Sequence, residues 1–171
     1  MRSTGVIARP ILLGAIGIGV LSAFSSATAY GDDDALSGTY LATSNGEWAK
    51  TNDSYHNEAT VRSTWTITST CTTPFDCIGR VTSDAGWSAD LHRQNSEWTV
   101  KREVPNWERC DDGTAFTGLQ EYRFYPAAAS GISSPGSTTL VGEDKTTGPS
   151  GACGRNQWLV VRMPFKLVKI G

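Results

Sequence analysis

Thr60-Val61-Arg62-Ser63-Thr64-Trp65-Thr66-Ile67-Thr68-Ser69 is the stretch that decides the fold. Val61, Ser63, Trp65 and Ile67 share one parity; Thr60, Arg62, Thr64, Thr66 and Thr68 share the other. A strand turns successive side chains to opposite faces, so this period of two is a half-buried strand with an apolar inner side. β-Branched residues recur along it and suit an extended backbone.

The same period runs outward. Trp87, Ala89 and Leu91 alternate with Ser88, Asp90 and His92. Trp98 and Val100 alternate with Thr99 and Lys101 on the way to Val104, and Gln120, Tyr122 and Phe124 alternate with Glu121, Arg123 and Tyr125. Residues 158–170 form a long apolar run, Trp158 leading, with Pro164 in its middle; the proline implies a bulge, a bend or an edge. Upstream, Asn45-Gly46 separates residues 39–43 from 47–51 and is a strong hairpin cue. Arg93-Gln94-Asn95-Ser96 and Asp111-Asp112-Gly113 read as turns, and residues 127–139 and 146–156 as surface loops. Residues 51–58 have room for one helical turn; nothing else beyond the first thirty residues has helical periodicity. The expectation is an all-β fold of about eight strands, an antiparallel β-barrel or a sandwich.

The N-terminus is of another kind. Met1-Arg2 and Arg9 give a positive start, residues 11–24 are uncharged and mostly apolar, and Ala27-Thr28-Ala29 is an A-x-A cleavage site. We expect a signal peptide over residues 1–29, an acidic flexible leader over 30–37, and a single β-domain over 38–171. The apolar stretch falls short of the roughly 20 residues of a membrane span, so membrane contact is expected only if the signal stays uncleaved. The protein is expected to be secreted, outside the cytoplasm, in the cell envelope or beyond it. Its net charge is −2, and cleavage would remove Arg2 and Arg9, leaving no electrostatic ground for a nucleic-acid partner. The sequence leaves the oligomeric state open.

The four cysteines, Cys71, Cys77, Cys110 and Cys153, all follow the signal. In an exported chain an even number reads as two disulfides. Cys71 and Cys77 flank the turn-rich Thr-Thr-Pro-Phe-Asp, so a local bridge is easy, which leaves Cys110 for Cys153. The rival reading, zinc, meets the wrong spacing and only His56 and His92 as helpers.

Six tryptophans are many for this length. Trp65 and Trp158 read as core. The candidate ligand-binding residues are Tyr40, Trp48, Trp87, Trp98, Trp107 and Tyr122, since an indole or phenol offers an apolar body with a polar handle. The inward set, Tyr40, Val61, Trp65, Ile67, Trp87, Leu91, Trp98, Val100, Tyr122, Phe124, Leu159 and Val161, either fills a small barrel or lines an apolar pocket in a wide one. Asp90 and His92 share a strand face, the slender basis for a hydrolase, but no G-x-S-x-G elbow accompanies them. Glu103 with Glu108 and Glu143 with Asp144 are acid pairs of the kind glycoside hydrolysis uses, as any chain with 17 acids would offer. No catalytic residues, cofactor or metal are expected. Asn52-Asp53-Ser54 fits the N-glycosylation pattern.

Two resemblances carry information. Cys77-Ile78-Gly79-Arg80-Val81 followed by Gly86-Trp87, and Gly148-Pro149-Ser150-Gly151-Ala152-Cys153-Gly154 leading to Met163-Pro164-Phe165-Lys166-Leu167, resemble small uncharacterised exported proteins of mycobacteria and related actinobacteria. That resemblance brings no catalytic residues. Gly38-Thr39-Tyr40 before a strand is similar to the Gly-x-Trp start of lipocalin-like barrels, with Tyr40 in place of the tryptophan. The functional expectation is a secreted non-enzymatic binding module, for a small apolar ligand or an envelope lipid. The alternatives are a cell-surface protein-interaction domain with a filled core, and a hydrolase using His92.

Overall fold

The computed structural model describes residues 35–171. The expected signal peptide and residues 30–34 of the leader lie outside them. The strands are β1 (Gly38–Ser44), β2 (Lys50–Thr51), β3 (Ser54–Tyr55), β4 (Val61–Thr73), β5 (Asp76–Ser83), β6 (Trp87–Gln94), β7 (Glu97–Arg109), β8 (Ala115–Pro126), β9 (Thr139–Thr147) and β10 (Val160–Lys169). Every pairing is antiparallel. The order β1-β4-β5-β6-β7-β8-β9-β10 returns from β10 to β1, so the expected all-β fold is a closed barrel and not a sandwich. Closure removes the free edges that an open sheet would have to protect.

The decisive stretch behaves as its alternation requires. Tyr40 faces Trp65 across β1–β4, and Ile67 faces Val81 across β4–β5. Tyr40, Trp65, Ile67, Val81, Leu91, Trp98, Val100, Tyr122, Phe124, Leu140, Phe165 and Leu167 are all buried in one cluster. Leu36, inside the expected leader, joins it; its N–H donates to Ser69 Oγ at 2.8 Å, and that hydroxyl donates back to the Leu36 carbonyl at 2.9 Å. We call this the lower end of the barrel.

Both disulfides pair as expected. Cys71–Cys77 crosses β4–β5 at the lower end, and Cys110–Cys153 ties the β7–β8 turn to the β9–β10 loop at the upper end. All four thiols are thereby spent, which disposes of the zinc reading.

Four local expectations are corrected. Asn45-Gly46 does not make a hairpin. A type I′ turn needs positive φ at both residues; Asn45 sits at φ −84° and caps a 3-10 turn, Gly46–Trp48, by accepting from the Glu47 N–H at 3.0 Å. Gly46 is there for room: a Cβ would lie 2.1 Å from the Glu58 carbonyl oxygen. The chain then leaves β1, and β2 pairs with β10 and β3 instead. Residues 51–58 hold no helical turn; Asn52 (φ 50°) and Asp53 (φ 65°) make the tight turn of the β2–β3 ribbon. Trp158 is not core: it precedes β10 and is 59% exposed. Val61, at the upper mouth, is likewise exposed. Pro164 lies where β10 changes partner from β1 to β2, a place where its missing N–H costs no ladder bond on that side.

Candidate functional site

The lumen has two layers. In the lower and middle barrel the rings meet one another. The Trp65 ring lies 4.9 Å from Tyr122, 5.3 Å from Trp87 and 5.2 Å from Phe165, centroid to centroid, and Tyr122 lies 4.8 Å from Phe165. These are contact separations for aromatic pairs. At this level the barrel is filled by its own side chains.

Above the rings lies a polar layer. Asp144 is buried on β9. Ser44 Oγ donates to its Oδ2 at 2.6 Å, and Gln120 Nε2 donates to Oδ1 at 2.8 Å. Gln120 Oε1 in turn accepts from Arg102 Nε at 2.7 Å. The Arg102 guanidinium carbon sits 4.5 Å from the Trp87 ring centroid, a cation–π distance. Burial raises the Asp144 pKa; the bonds from Ser44 and Gln120 and the Arg102 charge oppose that rise. Burial, with the Asp144 charge behind it, also pushes the Tyr122 phenol up. In this network Ser44, Gln120 and Arg102 each find a partner within the lumen.

Trp107 closes the top. It lies within the β7 bulge between Val104 and Glu108, next to Asn106 at φ 50°, and meets Phe116 edge-on at 5.9 Å. Gly118 makes room: a Cβ there would lie 2.7 Å from the Trp107 ring.

Beyond the plug is a cleft of about 490 Å3 between two walls. One wall is Glu108, Arg109, Asp111, Asp112 and Phe116; the other is Ala152, Arg155, Gln157, Trp158 and Leu159, with Asn52 alongside. Cys110–Cys153 joins the walls, Cα to Cα 5.1 Å. Burial and the nearby Glu58 charge raise the Glu108 pKa. Hydrogen bonds from Thr114 hold that of Asp112 down.

The six candidate ligand residues thus fall in different places. Trp98 and Tyr40 are buried low in the barrel, where burial raises the Tyr40 phenol pKa. Tyr122 and Trp87 belong to the ring layer, and Trp107 to the plug. Trp48 is 68% exposed on the 3-10 turn, apart from the others. Tyr40 and Trp98 border a small cavity of about 300 Å3 at the lower end, with Leu36, Pro126 and Thr138.

His92 is on the outer wall, in a groove with Thr99, Glu121 and Arg123. Asp90 is engaged by Arg80 at 3.1 Å, so it does not orient the histidine. Glu143 pairs with Arg162 outside while Asp144 points inside, as neighbours on a strand must, so the two cannot share a glycosidic bond.

The sequence reading missed Arg102, Gln120 and Asp144 as a unit. Gln120 was in phase with Tyr122 and Phe124, which placed it inside; nothing marked Asp144 as its partner on another strand.

No protein-family model matches the sequence, and no curated protein matches it either. Among solved structures the chain is similar to the monomeric form of the PknI sensor domain of Mycobacterium tuberculosis. The TM-score is 0.56 at 18% identity, over 80% of this chain and 88% of that one. At that identity the likeness is one of fold. Among the described residues no helix is long and apolar enough to cross a membrane.

Proposed function

We propose that this protein is an exported, non-catalytic binding module that meets its ligand at the surface of the barrel and not in its lumen. The observation that carries the reading is the ring layer, where Trp65 contacts Trp87, Tyr122 and Phe165 and occupies the space a lumenal ligand would need. Two disulfides suit an oxidising compartment. The A-x-A site at Ala27-Thr28-Ala29 supplies the route. The fold shared with a mycobacterial sensor domain fits recognition, and fits the actinobacterial resemblance of the sequence.

A second reading, a small apolar or envelope-lipid ligand, draws on the lower cavity beside Tyr40 and Trp98. Hydrogen–deuterium exchange of the exported protein, with and without envelope extract from its host, separates the two. Surface recognition predicts protection confined to exposed loops. Protection at the lower cavity, together with saturable binding of 1-aminoanthracene, would replace it with the lipid reading. Intact mass checks export: the product should begin at Tyr30, and a mass retaining Met1 would make it signal-anchored.

A further inference from the structure

We propose that the upper cleft is a binding site for a neutral saccharide, with Trp158 as its stacking face. The inference rests on the reading above, that recognition happens at the surface, and names the ligand class.

Trp158 is 59% exposed on a cleft wall, although the sequence places it at the head of an apolar run where burial was available. An exposed indole presents a π face that attracts weakly positive C–H groups. Around it the cleft is polar. Arg155 offers donors, Asp111 and Asp112 offer acceptors, and Gln157 offers both. Asn52 is fixed by accepting from the Val160 N–H at 2.8 Å through Oδ1, which leaves its NH2 as a further donor. Asp112 is fixed by the Thr114 N–H and hydroxyl, at 2.9 and 2.6 Å.

The lining selects among ligands. A lipid tail would leave these polar groups desolvated and unpaired. An anion would face Glu108, Asp111 and Asp112, and a cation would face Arg109 and Arg155. A pyranose has a C–H face and a rim of hydroxyls that each donate and accept, so it meets the indole and the mixed rim together. The volume, about 490 Å3, is within the range of small-molecule sites. The Cys110–Cys153 bridge fixes the spacing of the walls before any ligand arrives, which lowers the ordering cost of binding.

The test is saturation-transfer difference NMR on the oxidised exported protein with three neutral probes: tri-N-acetylchitotriose, cellotriose and mannotriose. At least one should receive saturation, most strongly at its ring C–H protons. Trp158→Ala should weaken that binding at least tenfold, while Trp48→Ala, which removes another exposed indole outside the cleft, should leave it unchanged. Equal melting temperatures for the two variants exclude unfolding as the cause. No transfer to any of the three, or equal loss in both variants, overturns the proposal. Binding of a trilysine peptide instead, abolished by Asp111→Asn with Asp112→Asn, overturns the saccharide but leaves surface recognition standing. Exchange protection at the lower cavity would bring down both.

Discussion

The ring layer and the polar layer lie one above the other in the same barrel, and they are held by different physics. Below, Trp65, Tyr122, Phe124 and Phe165 are buried against each other with apolar neighbours, and the stabilisation is area removed from water. Above, Asp144 is buried among Ser44, Gln120 and Arg102, and what matters is that each polar atom keeps a partner. The first layer tolerates no loss of volume; the second tolerates no loss of a partner.

The largest expected effect tests the ring layer. Trp65→Ala removes the ring that contacts four others and should cost roughly 3–5 kcal/mol in a denaturant titration of oxidised protein. Trp98→Ala should cost a similar amount. A cost under about 1 kcal/mol would mean the layer is loosely filled.

Next comes the staple over the polar end. Replacing Cys110 and Cys153 together with serine opens a loop of sequence separation 43. The chain-entropy argument gives about 4 kcal/mol for it, against about 2 for the short Cys71–Cys77 loop. Amide exchange should quicken around residues 105–118 and 148–159 and hold steady near Leu91 and Phe124. A uniform increase would show that the layers unfold as one unit.

Asp144→Leu should cost about 1–3 kcal/mol by leaving Gln120 and Ser44 without their acceptor, although it adds apolar volume. Asp144 also predicts a pH dependence. Its folded pKa is raised above the ordinary 3.8, so the folded state holds the proton more tightly than the unfolded one. Its contribution is then most favourable below 3.8 and is lost as pH rises from there through the folded value. The stability difference between wild type and Asp144→Asn should shift against wild type over that interval. A flat difference would mean the carboxylate is solvated as well inside as outside.

The smallest effect concerns the junction of the layers. Arg102→Met keeps most of the stem but removes the charge over Trp87 and the bond to Gln120, and should cost about 1–2 kcal/mol. It should raise the Asp144 pKa further, since one opposing charge is gone. An unchanged Asp144 titration by carboxyl-carbon NMR would separate Arg102 from the network.

The alternation around Trp65, Trp98 and Tyr122 was legible because one buried face per strand leaves a period of two in the sequence. Both disulfides were legible because the short one is favoured by its turn and the other follows by remainder. Barrel closure was not: Tyr40 opposite Lys169 is a pairing of the first and last strands, and nothing local encodes it. Asn45-Gly46 misled because the glycine serves close packing against Glu58 and not backbone handedness. Trp158 misled because an apolar run with a tryptophan at its head looks the same whether that ring turns in or out. The polar layer was half legible, since Gln120 was placed inside by phase but its partners Arg102 and Asp144 come from two other strands, β7 and β9.

The pairing of β1 with β10 also sets an order of events. During synthesis β1 is made early and β10 last among these strands, so the ring cannot close until β10 is available. Such distant contacts make folding slow. Until then β1 carries an unpaired edge, the feature that recruits foreign strands. Cys71 and Cys77, only 6 apart, can join long before closure, whereas Cys110 must wait for Cys153. A refolding experiment should therefore trap an intermediate with the first bridge formed and the barrel still open, and aggregation should be worst in that interval.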